Sequence, residues 1–191
     1  MAKTIKVTLP ELPESYRKVL HYFFSFPEQS ISLNELAKKV QASKTAAKAA
    51  VVRLAAEGLL QKELVGNAWR IAAVPQNPLL AMRKIPYNLG LIYESGILAR
   101  VQQKMPEARA IVLFGSYRWG TDNEQSDIDL GVEVLGSQEL RIELLGVIEK
   151  LGFRRKVHVN LQIFSRTGIN LNLFTNIANG IVLAGLLEVQ P

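Results

Sequence analysis

The stretch from Ile111 to Leu130 constrains this chain more than any other. An apolar run, Ile111-Val112-Leu113-Phe114, stops at Gly115-Ser116, and after ten further residues Asp127-Ile128-Asp129 opens a second apolar run. Short apolar runs bounded by turn residues read as buried strands. Alternate side chains of a strand share a face, so Asp127 and Asp129 project together. Two carboxylates held side by side repel unless a positive charge lies between them. A hard divalent cation meets that need, because Mg²⁺ favours a few carboxylates together with phosphate oxygens. The Gly115-Ser116 turn adds backbone N–H groups and a hydroxyl suited to a phosphate. Together these residues suit a metal-bound nucleoside triphosphate.

Composition sets outer limits. The 191 residues suffice for one large domain or two small ones, and 48% hydrophobic against 21% charged residues describes a globular chain with a core. No apolar run approaches a membrane span, and Met1–Pro10 lacks the apolar stretch of a secretory signal, so the expectation is a cytoplasmic protein without a membrane partner. The absence of cysteine excludes disulfides, cysteine-ligated zinc and thiol catalysis. Charge is uneven: residues 1–75 hold 11 Lys and Arg against 6 Asp and Glu, a net +5 of the chain's +6. A small, basic N-terminal unit points to a polyanion, with nucleic acid foremost.

The N-terminal pattern is specific in its order. Tyr16, Val19, Leu20, Phe23 and Phe24 fall at helical spacing, and Pro27 ends that pattern. Ser32 and Glu35 form a capping-box signature for a helix over Leu33–Val40. Ser43 caps an Ala-rich helix over Lys44–Glu57, packed through Ala46, Ala47, Ala50, Val51 and Leu54, with Gly58 at its end. Leu59–Leu64 and Ala68–Ala72 then flank a Gly-containing hairpin turn. Residues 12–73 resemble winged helix-turn-helix DNA-binding domains of bacteria and archaea. That resemblance implies a double-stranded DNA partner, read by Ser43, Lys44, Thr45 and Lys48 of the third helix. Arg53, further along, and Lys62 and Arg70 of the hairpin would reach phosphates, and paired sites would imply a homodimer. The alternative is a winged helix that binds protein or dimerises.

Residues 75–90 carry Pro75, Pro78, Pro86 and Gly90 and read as a linker, although Leu79, Leu80, Met82, Ile85 and Tyr87 imply that it packs against a domain. Beyond it, Leu91–Lys104 reads as one helix, Ala110–Phe114 as a strand, and a short helix begins near Ser116. Asp127–Leu135 reads as a strand, Ser137–Leu151 as a helix ended by Gly152, and Lys156–Phe164 as a strand with Val157, Val159, Leu161 and Ile163 on one face. Residues 171–187 read as a final helix or two, broken at Asn179-Gly180.

Leu-Phe-Gly-Ser, ten residues, then Ser-Asp-Ile-Asp-Leu resembles the nucleotidyltransferase signature of the DNA polymerase beta superfamily, in its minimal prokaryotic form, over residues 92–187. The fold expected is therefore α+β: a winged helix of three helices and a hairpin in residues 1–74, a linker in 75–90, and a nucleotidyltransferase-like small mixed sheet with helices in 91–191. The resemblance assigns Gly115 and Ser116 to the β- and γ-phosphates and Asp127 and Asp129 to Mg²⁺ or Mn²⁺. ATP is the leading nucleotide, and Arg118 is a further contact, one residue away from where many members carry their arginine. Two residues stand out against the pattern. His158 occupies the position read as the family's third carboxylate, in Lys-Val-His-Val, where an imidazole serves as a softer ligand or as a base. Glu133 shares strand parity with the two aspartates but lies further along. The function implied is a DNA-binding regulator that transfers a nucleoside monophosphate to a hydroxyl, including one on a protein such as a partner toxin. The alternative is an inactive nucleotidyltransferase fold acting only through DNA binding.

Overall fold

The computed structural model describes residues 11–189, so expectations that fall on Met1–Pro10 lie outside the described residues. The first helix, α1 (Glu14–Ser25), buries Tyr16, Val19, Leu20 and Phe23 at the spacing seen in the sequence. Strand β1 (Ser30–Ser32) leads straight into α2 (Leu33–Lys39). Its capping box is complete: the Ser32 hydroxyl accepts from the Glu35 N–H, and the Glu35 carboxylate accepts from the Ser32 N–H. Such a cap stabilises a short helix by about 1 kcal/mol. Helix α3 (Lys44–Ala56) starts at Ser43, whose hydroxyl accepts from the Ala46 N–H at 3.1 Å, and buries Ala47, Ala50, Val51 and Leu54. Gly58, at φ 72°, turns the chain into the hairpin of β2 (Leu60–Val65) and β3 (Ala68–Ala73). The three strands form an antiparallel sheet in the order β1-β3-β2.

The segment expected as a linker is instead helix α4 (Pro78–Glu94). Asn77 caps it by accepting from the Leu79 N–H at 3.0 Å. Pro86 sits inside the helix, where it cannot donate to the Met82 carbonyl. Both residues are exposed, so water can satisfy that carbonyl. Leu80 and Ile92 anchor the two ends of α4 in two different cores. Nor is Leu91–Lys104 one helix. Gly96, at φ 76°, separates α4 from α5 (Ile97–Lys104).

The second sheet has five strands in the order β6-β7-β5-β4-β8, with only β5 and β7 parallel. Strand β4 (Ala110–Phe114) is buried along its whole length, and the short helix α6 (Gly115–Trp119) follows it directly, as expected. Strand β5 (Ile128–Glu133) pairs antiparallel with β4. The expected helix over Ser137–Leu151 is a correction: Arg141–Leu151 is strand β6, hairpinned to β7 (Arg154–Phe164) through Gly152-Phe153. A register shift between Leu144 and Gly146 brings Leu145, Ile148 and Leu151 to the core three residues apart, a spacing that mimics a helix. Helix α7 (Leu171–Ala178) fulfils the first half of the C-terminal expectation. The second half is corrected, because after Gly180 the chain forms strand β8 (Ile181–Gly185) along the free edge of β4. Ile177 of α7 packs on one face of this sheet with Val112 and Phe164, while α4 and α5 cover the other through Ile92, Ile97 and Val101. No helix among the described residues is long and apolar enough to cross a membrane.

Candidate nucleotide site and basic surface

The end of β4 sets the site. Gly115 has φ 69°, a conformation costly for any residue with a Cβ. A Cβ there would also stand 2.9 Å from Oδ2 of Asp129. Glycine thus lets the turn lie directly against the carboxylate. Ser116 follows in the first turn of α6, half-buried.

The loop carrying the chain from α6 to Asp127 is fixed from beneath. Asp122 is 3.0 Å from the Lys84 ammonium, and both side chains are buried. Asn88 donates to Asp122 at 2.7 Å and to the Tyr117 carbonyl at 3.1 Å. Burial disfavours both charges of the Lys84–Asp122 pair, pushing the lysine down and the aspartate up, and each is restrained by the other. The buried guanidinium of Arg154 donates to the Tyr117 hydroxyl and to the carbonyls of Glu124 and Ser126. Burial holds the Tyr117 hydroxyl well above its ordinary pKa, so it remains a neutral partner.

Asp127 precedes β5 and Asp129 lies within it, opposite Phe114 on one side and Asn160 on the other. Asn160 donates from Nδ2 to Asp127 Oδ2 at 3.3 Å and also hydrogen-bonds Asp129. Burial raises the Asp129 pKa, the Asn160 hydrogen bond partly offsets it, and the Asp127 charge raises it further. His158 places Nδ1 3.4 Å from Asp127 Oδ1, with half of its side chain exposed. His158 and Asp127 thus lie within reach of each other, and Asp129 follows two residues beyond Asp127. Asn160 is the residue that sequence reasoning missed. Its signal was the polar face of β7, where it lies two residues beyond His158. Glu133 is removed as a third acid: it is buried at the far end of β5 and paired with Arg166 at 2.6 Å. Arg118 donates from Nε to the Asn179 carbonyl at 2.8 Å and lies 3.9 Å over the Trp119 ring, tying α6 to the turn before β8.

Among the described residues no three His, Cys, Asp or Glu side chains gather as a metal-binding group. The donor set at the turn is two carboxylates, one carboxamide and one imidazole. It fits a divalent ion all the same, because the Asp129 charge is disfavoured by burial and by Asp127, and among the described residues no lysine or arginine is paired with either aspartate.

The basic residues of the N-terminal unit divide into two groups. Lys44, Thr45 and Lys48 are exposed on the first half of α3, with Ser43 as its cap. Lys48 of α3 and Lys62 of β2 both lie over the Trp69 ring, at 5.4 and 4.7 Å from its centroid. Arg70, also on the hairpin, donates to Ser30 at 3.1 Å and faces Glu63 at 3.5 Å. Arg53, by contrast, is engaged at the other end of α3, 3.3 Å from Glu57 and 4.9 Å over the Tyr16 ring.

Comparison with known families gives one match. Residues 94–178 match the model of the nucleotidyltransferase domain, and this segment contains Gly115, Ser116, both aspartates, His158 and Asn160. No curated protein matches the chain.

Proposed function

We propose that the protein is a DNA-binding regulator whose C-terminal domain binds a divalent metal–nucleoside triphosphate and transfers its nucleoside monophosphate to a hydroxyl. The observation that carries this reading is the placement of Asp129 against the Gly115 turn, with Asp127 two residues before it, within a segment similar to nucleotidyltransferase domains. Mg²⁺ or Mn²⁺ held by Asp127 and Asp129 would neutralise triphosphate charge and polarise the phosphorus under attack. The Gly115 and Ser116 backbone and the Ser116 hydroxyl receive the phosphates, with ATP as the leading nucleotide. Asn160 holds Asp127 in place. The His158 Nδ1 faces Asp127, which leaves Nε2 to take the proton of the attacking hydroxyl. The acceptor oxygen bonds to the α-phosphorus, the bond to the bridging oxygen breaks, and pyrophosphate leaves.

Support for the DNA half comes from the order of elements, three helices and a hairpin, and from the exposed Lys44, Lys48 and Lys62. We take Ser43, Thr45 and Arg70 to add polar and phosphate contacts, and Arg53 to stabilise α3 rather than touch DNA. A homodimer would match paired half-sites, and a protein acceptor such as a partner toxin would link transfer to regulation.

A second reading rests on one observation. Asn160, not an acid, stands beside Asp129 on β7, and an inactive nucleotidyltransferase fold that binds a nucleotide as an effector would tolerate that residue. Calorimetric titration of ATP with Mg²⁺ and then Mn²⁺, into wild type and an Asp127→Ala/Asp129→Ala variant, tests the shared premise. Metal-dependent binding lost in the variant supports the site. Absence of binding to folded wild type with either metal refutes it. Pyrophosphate release then separates transferase from effector site.

A further inference from the structure

A second, separate concavity lies where the N-terminal unit meets α4 and the β6–β7 hairpin. It is a groove of about 1110 Å³, lined from α1, α2, α3, α4 and the hairpin tip. Seven basic and two acidic side chains line it, a net of +5 against +6 for the whole chain. Four of the basic groups, Arg17, Lys39, Lys150 and Arg155, are exposed and make no ion pair among the described residues. They come from four different elements, so no single amphipathic face accounts for their convergence. The other three are already paired: Lys18 with Glu14, and Arg53 and Arg83 with Glu57. Burial, and then the Arg17 charge, push the His21 imidazole below its ordinary pKa.

Aromatic side chains share the lining. His21 and Tyr87 stack at 4.2 Å between ring centroids, and Phe153 from the hairpin tip joins them in the lining. Basic and aromatic side chains in one groove are the combination that tracks a phosphate backbone while its bases lie on π-faces. The concave shape suits one strand, whereas a duplex presents a convex surface. Its volume, about 1110 Å³, lies at the upper end of the range of ligand sites.

We propose that this groove binds a single-stranded nucleic-acid segment, independently of the α3 surface and of the Asp127–Asp129 site. Four unpaired cations in one groove give a polyanion an attraction that an isolated phosphate would share only in part.

The test is fluorescence anisotropy of a labelled oligothymidylate of about twelve nucleotides with the full chain, across a salt series. The groove variant is Lys39→Ala/Lys150→Ala/Arg155→Ala, with a Gln version that keeps longer aliphatic stems if the first folds poorly. The expected result is an affinity loss of about tenfold or more, with the salt slope falling by about 2, because each single-strand phosphate contact contributes roughly 0.7. Lys44→Ala/Lys48→Ala should leave single-strand binding within about twofold while weakening duplex binding. Three results would overturn the proposal: an unchanged slope in a folded groove variant, an equal loss in the Lys44/Lys48 variant, or a polyglutamate peptide that binds the groove more tightly than the oligonucleotide.

Discussion

Asn160→Asp is the sharpest perturbation of the site, because it changes charge with almost no change of shape. Asn160 now donates to Asp127 at 3.3 Å and to Asp129 across the parallel β5–β7 pairing. An aspartate there replaces a donor with a third carboxylate. Two unit charges 3.3 Å apart repel by at most about 5 kcal/mol at an effective dielectric of roughly 20. The Asp127 side chain is 39% exposed, and screening with partial protonation reduces this to about 2 kcal/mol. With the lost hydrogen bond included, the variant should be about 3 kcal/mol less stable than wild type at neutral pH in chelator. Millimolar Mg²⁺ or Mn²⁺ should recover most of that loss, rising with the logarithm of metal concentration above the dissociation constant, and the recovery should exceed any gain by wild type. Urea denaturation followed by circular dichroism, in chelator and then in each metal, reads both effects. A variant as stable as wild type in chelator, or one that no divalent ion stabilises, would refute the placement of Asn160 beside a cation site.

Three further outcomes follow from the same geometry. Lys84→Met strands the buried Asp122 and should cost about 3–5 kcal/mol in urea denaturation, whereas Lys84→Met/Asp122→Leu should recover most of that loss. Gly115→Ala should cost about 1–2 kcal/mol for its left-handed backbone alone, and should abolish metal–ATP binding in calorimetry, because the new methyl lies 2.9 Å from the Asp129 carboxylate. Burial raises the folded-state pKa of Asp129, so its charge penalty is absent below the ordinary carboxylate value and complete above the raised one. Asp129→Asn should therefore stabilise the metal-free protein at neutral pH and remove part of the stability decline as pH rises through the carboxylate range, read from melting temperatures across pH.

Sequence reasoning succeeded where a pattern had a single geometric meaning. The Ser32–Glu35 box and the Ser43 cap each name one hydrogen bond, and the structure makes both. Strands β4 and β7 were legible because their apolar runs are strict. Strand β6 was not, because its bulge breaks the alternation that identifies a strand. Strand β8 was lost for another reason: its apolar residues continue directly from those of α7, and only pairing with β4 decides its state. In the site, the two aspartates and the Gly115 turn were visible because one short stretch, residues 115–129, carries them all. Asn160 was hidden, since its role depends on the parallel register between β5 and β7, which no local spacing encodes.

Helix α4 shows most clearly what composition conceals. Its buried stripe is Leu80, Lys84, Asn88 and Ile92, a strict four-residue spacing. Two of the four are polar and a proline lies between them, so the stripe reads as a linker. Its outer members enter separate cores, and its inner members hold Asp122 and the Tyr117 carbonyl beneath the loop that delivers Asp127. The helix is therefore part of the foundation of the proposed nucleotide site as much as a connection to it. A fragment of residues 91–191, cut where a linker would end, leaves Asp122 without its lysine and Tyr117 without Asn88. Each lost partner strands a buried polar group at a cost of about 1–3 kcal/mol or more, comparable with the whole stability of a small domain. That fragment should show no cooperative unfolding in urea, whereas residues 75–191 should. Cooperative unfolding of the shorter fragment, with metal–ATP binding intact, would mean that α4 connects the two units without supporting either.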